Sequence, residues 1–182
     1  MGMAAPIYYT ADQVRALPED GNRYEVVHGE ILVTPAPRLM HQEVVSRLLV
    51  ELRRYLEVEP AGHALLAPAD ISWGPDTLVQ PDVFVVPLDQ ARSLDWTRIQ
   101  DLLLVAEVLS PSSARADRFT KRIEYQRRRV PVYWIVDPDE RRVEAWGPDD
   151  TAPRLERDRL LWHPVGAVRP FELDLQTLFK PI

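Results

Sequence analysis

The sequence predicts an α/β or α+β sandwich, with a mixed central sheet of four to six strands flanked by helices. Two observations carry this. β-prone segments lie both before and after two substantial helical patterns, and several of them are joined as hairpins, which argues against a purely parallel dinucleotide-binding arrangement. A length of 182 residues fits one domain spanning 1–182, and 46% apolar with 27% charged residues is the composition of a folded globular chain.

The elements follow in order. Thr10-Ala-Asp-Gln13 has the form of a capping box, so a short helix is expected from Ala11 to Leu17, before Pro18. Arg23 to His28 and Glu30 to Thr34 read as a hairpin turning at His28-Gly29. Between His41 and Glu57 the apolar residues Val44, Val45, Leu48, Leu49, Leu52, Tyr55 and Leu56 recur at three and four, the spacing of an amphipathic helix. Short strands are expected at His63–Leu66, Asp70–Trp73 and Pro81–Val86. Leu102 to Leu109 is nearly continuous in apolar residues, as for a central strand covered on both faces. Ser110-Pro-Ser-Ser113 offers a cap for a helix of about 16 residues reaching Arg129. Val132–Val136 and Arg142–Trp146 read as strands around the Asp137-Pro-Asp139 turn. The stretch from Gly147 onward reads as loops and short strands, ending in Phe171–Leu175 and a helical turn.

Composition excludes several function classes. With no cysteine there is no disulfide framework, thiol nucleophile or cysteine-ligated metal centre. No apolar run approaches the ~20 residues of a membrane span, so no membrane association is expected. Residues 1–9 show no secretory signal, and a cytoplasmic location is the expectation. A net charge of -6 argues mildly against nucleic-acid binding, yet Pro111 to Val130 holds seven cations against two anions. That segment is +5 and the remainder -11, so one basic element sits on an acidic body.

There is no phosphate-binding G-x-x-x-x-G-K loop, no G-x-G-x-x-G turn, no G-x-S-x-G elbow and no His-Glu-x-x-His pair. Two acids stand out instead. Asp82 opens one predicted strand and Glu107 falls near the end of another, each beside apolar neighbours. An unpaired carboxylate in a dry core costs several kcal/mol, so such groups find a cation, a metal or several donors. Two on neighbouring strands suit a shared magnesium or manganese ion. Plainer readings exist for each: Asp after proline is common at turns, and a strand-end Glu can reach solvent or an arginine. Asp117, Lys121 and Tyr125 form a stripe at i, i+4, a spacing that by itself describes a solvated surface pair.

Four segments in order, Gln80–Val86 (QPDVFVV), Val105–Ser113 (VAEVLSPSS), Asp117–Tyr125 (D-x-x-x-K-x-x-x-Y) and Val130–Pro138 (VPVYWIVDP), resemble the Uma-two family of restriction endonucleases within the PD-(D/E)xK nuclease superfamily. Tyr24–Ile31, Pro35-Ala-Pro37 and His41 extend the resemblance over almost the whole chain. It implies a restriction-endonuclease-like fold with Asp82 and Glu107 as the superfamily's two acids. The superfamily's lysine, two residues after the second acid, is replaced by Leu109; Lys121 is the migrated equivalent, Glu25 a further acid of the site, and His41 stands near it.

On this reading Asp82 and Glu107 hold Mg (or Mn) and Lys121 assists attack of water on DNA, RNA not being excluded. Arg115, Arg118 and Arg122 offer the phosphate backbone a landing strip, unless the basic helix is simply a solvated face. Cleavage of both strands favours a homodimer. The rival is a catalytically degenerate nucleic-acid or protein binding module that keeps the fold and the carboxylate pair.

Overall fold

The computed structural model describes residues 7–182. Residues 1–6, and with them most of the segment read for a secretory signal, lie outside the described residues. Helix α1 (Ala11–Arg15) opens with the expected capping box: the Thr10 hydroxyl accepts from Gln13 N at 3.2 Å, and the Gln13 side chain accepts from Thr10 N at 2.8 Å. Strands β1 (Arg23–Val27) and β2 (Glu30–Thr34) form the expected hairpin. Its two turn residues, His28 (φ 50°) and Gly29 (φ 80°), are both left-handed, as a tight turn matching the strand twist requires.

Helix α2 (Leu39–Val58) extends the predicted helix by two residues at its start and by one at its end. The chain continues through β3 (His63–Leu66), β4 (Ile71–Ser72), β5 (Leu78–Val79), β6 (Val83–Val86), α3 (Leu88–Arg92), a single 3-10 turn at Trp96–Arg98, and β7 (Leu104–Val108). A helical crossover follows, made of a wide, π-type segment at Ala116–Lys121 that runs straight into α4 (Arg122–Arg127). Then come β8 (Tyr133–Asp137), β9 (Arg142–Trp146), β10 (Arg154–Glu156), β11 (Arg159–Trp162), β12 (Phe171–Asp174) and α5 (Leu175–Leu178).

The main sheet has six strands in the order β10-β9-β8-β7-β6-β3, antiparallel throughout except for the parallel pair β7·β8 that the crossover joins. This is the mixed central sheet expected. The hairpin β1–β2 belongs to a separate four-stranded sheet, β2-β1-β5-β4, and β11 pairs with β12 in a two-stranded one. Strand β5 escaped the sequence reading because two residues carry no periodicity. Helix α3 escaped it because none of its residues is buried, so it has no apolar face to read.

Helix α2 covers one face of the main sheet, packing Val44, Leu48 and Leu52 against Val83, Val85, Leu104 and Ala106. On the other face Phe84, Val105, Tyr133 and Ile135 meet Val27 and Val79 of the second sheet and Tyr125 of α4. Strand β7 is thus buried on both sides, which explains its unbroken apolar run. Among the described residues no helix is long and apolar enough to cross a membrane.

Just past α2, the buried Glu59 carboxylate accepts from Val168 N at 2.8 Å and Arg169 N at 3.2 Å, tying the β11–β12 connection to the helix end. The Val168 amide leads in lowering the Glu59 pKa below its ordinary 4.5, outweighing the opposing effect of burial. Its stabilising contribution is therefore complete above that value and declines as pH falls through the folded-state pKa. Thermal melts of wild type and Glu59→Gln should differ most near neutrality and converge in acid. Leu48→Ala, at a fully buried position, should lower unfolding free energy by about 2–5 kcal/mol in denaturant titrations.

Candidate active site

The register of β6 on β7 pairs Val83 with Ala106, and one step further brings Asp82 opposite Glu107. Regular pairing stops here because Pro81 has no N–H to offer. Side chains take over the strand ends: Asp82 N donates to Glu107 Oε2 at 3.4 Å, and Val108 N donates to Asp82 Oδ2 at 2.8 Å. Both carboxylates are buried.

Lys121 comes from the crossover. The π-type turn widens the helix where Asp117 and Lys121 both turn inward, a local distortion found often at functional sites. Lys121 is 1% exposed. Its Nζ donates to Glu107 Oε1 at 3.1 Å and lies 2.8 Å from Glu25 Oε2 and 3.2 Å from Asp117 Oδ1. The last two are ion contacts without hydrogen-bond angles, so those two buried oxygens have no hydrogen-bond donor. Glu25 Oε1 accepts from Gln80 N at 2.7 Å, and Tyr125 OH donates to Glu107 Oε1 at 2.9 Å.

A cleft of about 670 Å³ opens between the hairpin, the start of α2 and the start of β6, lined among others by Arg23, Thr34, His41, Gln80 and Asp82. Arg23 Nη1 donates to Asp82 Oδ1 at 2.6 Å, and His41 Nε2 stands 3.2 Å from Asp82 Oδ2. Asp82 therefore forms the cleft floor, while Glu107, Lys121 and Glu25 lie behind it and do not line the cleft.

The environment separates the two strand acids. Burial would raise the Asp82 pKa, but the His41 hydrogen bond and the charges of Arg23 and Lys121 hold it below its ordinary value. Glu107 is pushed well above its ordinary value by burial, with Lys121 opposing and Asp82, Asp117 and Glu25 adding to the rise. Asp117 is raised for the same leading reason. Burial would lower the Lys121 pKa; Glu107, Glu25 and Asp117 instead keep it well above its ordinary value. The surroundings thus push the two strand acids in opposite directions, Asp82 at the cleft floor downward and Glu107 behind it upward.

Asp82, Glu107, Lys121, Glu25 and His41 are thus brought together. Asp117, read as one end of a solvated pair, is buried in the same cluster, because tertiary packing seals that stripe against the sheet. Arg23 had not been singled out; its only signal was its i, i+2 position beside Glu25 on one strand face. The three arginines of the basic helix lie elsewhere. Arg118 is held by Glu144 at 2.9 Å and Asp137 at 3.0 Å, and Arg122 stacks 4.5 Å from the Trp146 ring centre; Arg115 is exposed.

Among the described residues, no three His, Asp or Glu side chains are gathered so as to hold a metal ion unaided. The donors suit instead a hydrated, hard dication bound through one or two carboxylates. Asp82 and Glu107 are all-oxygen ligands. When ionised, the four buried acids Glu25, Asp82, Glu107 and Asp117 outnumber the two cations Arg23 and Lys121 among them. Added positive charge fits this cluster.

No curated protein matches the chain. Among solved structures it is similar to the crystal structure of a "putative nuclease belonging to DUF820" from Anabaena variabilis ATCC 29413. The two share 23% identity over 94% of this chain and 97% of that one, with a TM-score of 0.73, a likeness of fold. The motifs that surround Asp82, Glu107 and Lys121 all fall within residues 11–174, which match the Uma2 family, described as "Putative restriction endonuclease", and the chain belongs to that family.

Proposed function

We propose that the protein is a metal-dependent endonuclease that hydrolyses phosphodiester bonds of DNA at the floor of the cleft. The observation that carries this reading is the meeting of Asp82, Glu107 and Lys121 from three separate segments around one buried cluster, with Asp82 open to the cleft. Burying so many ionisable groups costs several kcal/mol per charge, an expense that a purely structural core avoids.

In this reading Asp82 and Glu107 hold a magnesium or manganese ion. Such an ion, when bound, polarises the phosphodiester and lowers the pKa of an attacking water. Lys121 and Tyr125 hold Glu107 in place from behind, and Lys121 offsets the charge of Glu25 and Asp117. Arg115 supplies an outer phosphate contact; Arg118 and Arg122, already engaged within the chain, contribute field more than contacts. Two strands call for two such sites, so a homodimer is part of the proposal.

The binding-module reading draws support from the same cluster, because the Lys121 ammonium is sealed from the cleft and Leu109 stands where the superfamily has its lysine. A plasmid-nicking assay with Mg²⁺ or Mn²⁺ separates the two. Asp82→Asn and Glu107→Gln should each lower nicking by about a hundredfold or more while circular dichroism stays native. Metal binding by wild type without cleavage of any DNA or RNA substrate would favour the module. Lys121→Met should lose activity and also about 3–5 kcal/mol of stability, since it leaves three buried carboxylates without their cation; chemical denaturation measures this.

A further inference from the structure

Arg23 holds a position that the proposed hydrolysis does not yet use. Its side chain is 20% exposed, lines the cleft, and reaches from β1 in the second sheet to the Asp82 carboxylate at the start of β6 in the main sheet. Only one arm of its fork is matched there. Nη1 meets Asp82 Oδ1 at 2.6 Å, whereas Nε is buried without a hydrogen-bond acceptor, with Glu25 Oε2 3.9 Å away. A guanidinium that contacts one carboxylate oxygen and leaves a buried donor unpaired is poorly satisfied, because its geometry suits two parallel bonds to a planar or tetrahedral oxyanion.

The other cations near the cleft are engaged differently. Lys121 is enclosed by three carboxylates, and Arg15, on the cleft wall, pairs with Asp12 at 2.9 Å and Asp70 at 3.3 Å. Arg23 is the guanidinium that both lines the cleft and touches a proposed metal ligand. It also carries positive charge at the carboxylate where a cation would bind, and like charges that close repel.

We infer that Arg23 is the phosphate-binding residue of the cleft: in the unliganded protein it neutralises Asp82, and on substrate binding it cedes that carboxylate to the metal ion and takes a nonbridging oxygen of the phosphodiester. This rests on the nuclease reading of the same site. It makes metal and phosphate binding mutually supportive, since each relieves a contact that the other needs.

The test uses the full chain and two substitutions. Mn²⁺ binding without DNA is measured by calorimetry, and binding of a short fluorescein-labelled duplex by anisotropy in saturating Ca²⁺. Arg23→Gln should bind Mn²⁺ about tenfold tighter, because the competing charge is gone, and the duplex about tenfold more weakly, because a charge-assisted contact is lost. Arg23→Lys, which keeps the charge but not the fork, should leave Mn²⁺ affinity near wild type and still weaken duplex binding. A merely structural role would loosen metal and duplex together in Arg23→Gln, and that result overturns the inference. Wild-type nicking of DNA with both affinities unchanged in Arg23→Gln would overturn it too while sparing the nuclease reading. Wild type binding neither Mn²⁺ nor duplex would remove both.

Discussion

The buried ammonium of Lys121 is the constraint around which the site is organised. Its three carboxylate partners come from β1, β7 and the crossover helix, so a single charge joins the second sheet, the main sheet and the element that connects β7 to β8. In a dry interior neither the ammonium nor the acids can exist charged alone, and breaking the set by one member leaves the others uncompensated. The position of the helix over the sheet is consequently tied to electrostatics as well as to apolar packing around Tyr125 and Tyr133.

That arrangement divides the cluster into a front and a back. Asp82, with Arg23 and His41, faces the cleft; Glu107 stands between it and the enclosed group of Lys121, Glu25 and Asp117. Burial, with like charge adding to it, raises the pKa of Glu107 and Asp117, while the His41 hydrogen bond and nearby cations at the front hold that of Asp82 down. Two carboxylates one strand apart thereby acquire different chemistry from their surroundings alone. A lysine behind the acid rather than two residues after it on the same strand serves this layout, because the crossover can deliver its ammonium to several acids at once.

The basic helix has a more inward role than its charge count suggests. Lys121 enters the cluster, Arg118 binds Asp137 and Glu144, Arg122 stacks on Trp146, Arg127 contacts His28, Arg128 pairs with Glu124, and Arg129 pairs with Asp149. Much of the segment's positive charge is answered by the acidic body around it, which weakens any long-range pull on polyanions. The arginines of that segment do not line the cleft, where Arg15 and Arg23 are the guanidinium groups among the described residues.

Local pattern was sufficient for much of the fold. The capping box at Thr10, the His28-Gly29 turn, the three-and-four spacing along α2 and the apolar run of β7 each express a short-range rule, and each is present. The family resemblance and the acids Asp82 and Glu107 were legible for a related reason, since a carboxylate among strand residues is anomalous within a few positions of itself. What only the tertiary structure decided were quantities that involve distant segments. These include the separation into two sheets, the burial of Asp117 and Lys121 on a stripe that looks solvated in isolation, and the reach of Arg23 across 59 positions to Asp82. Charge pairing has no period along the chain. Its energy depends on distance and on exclusion of water, and both are set only when the elements pack together.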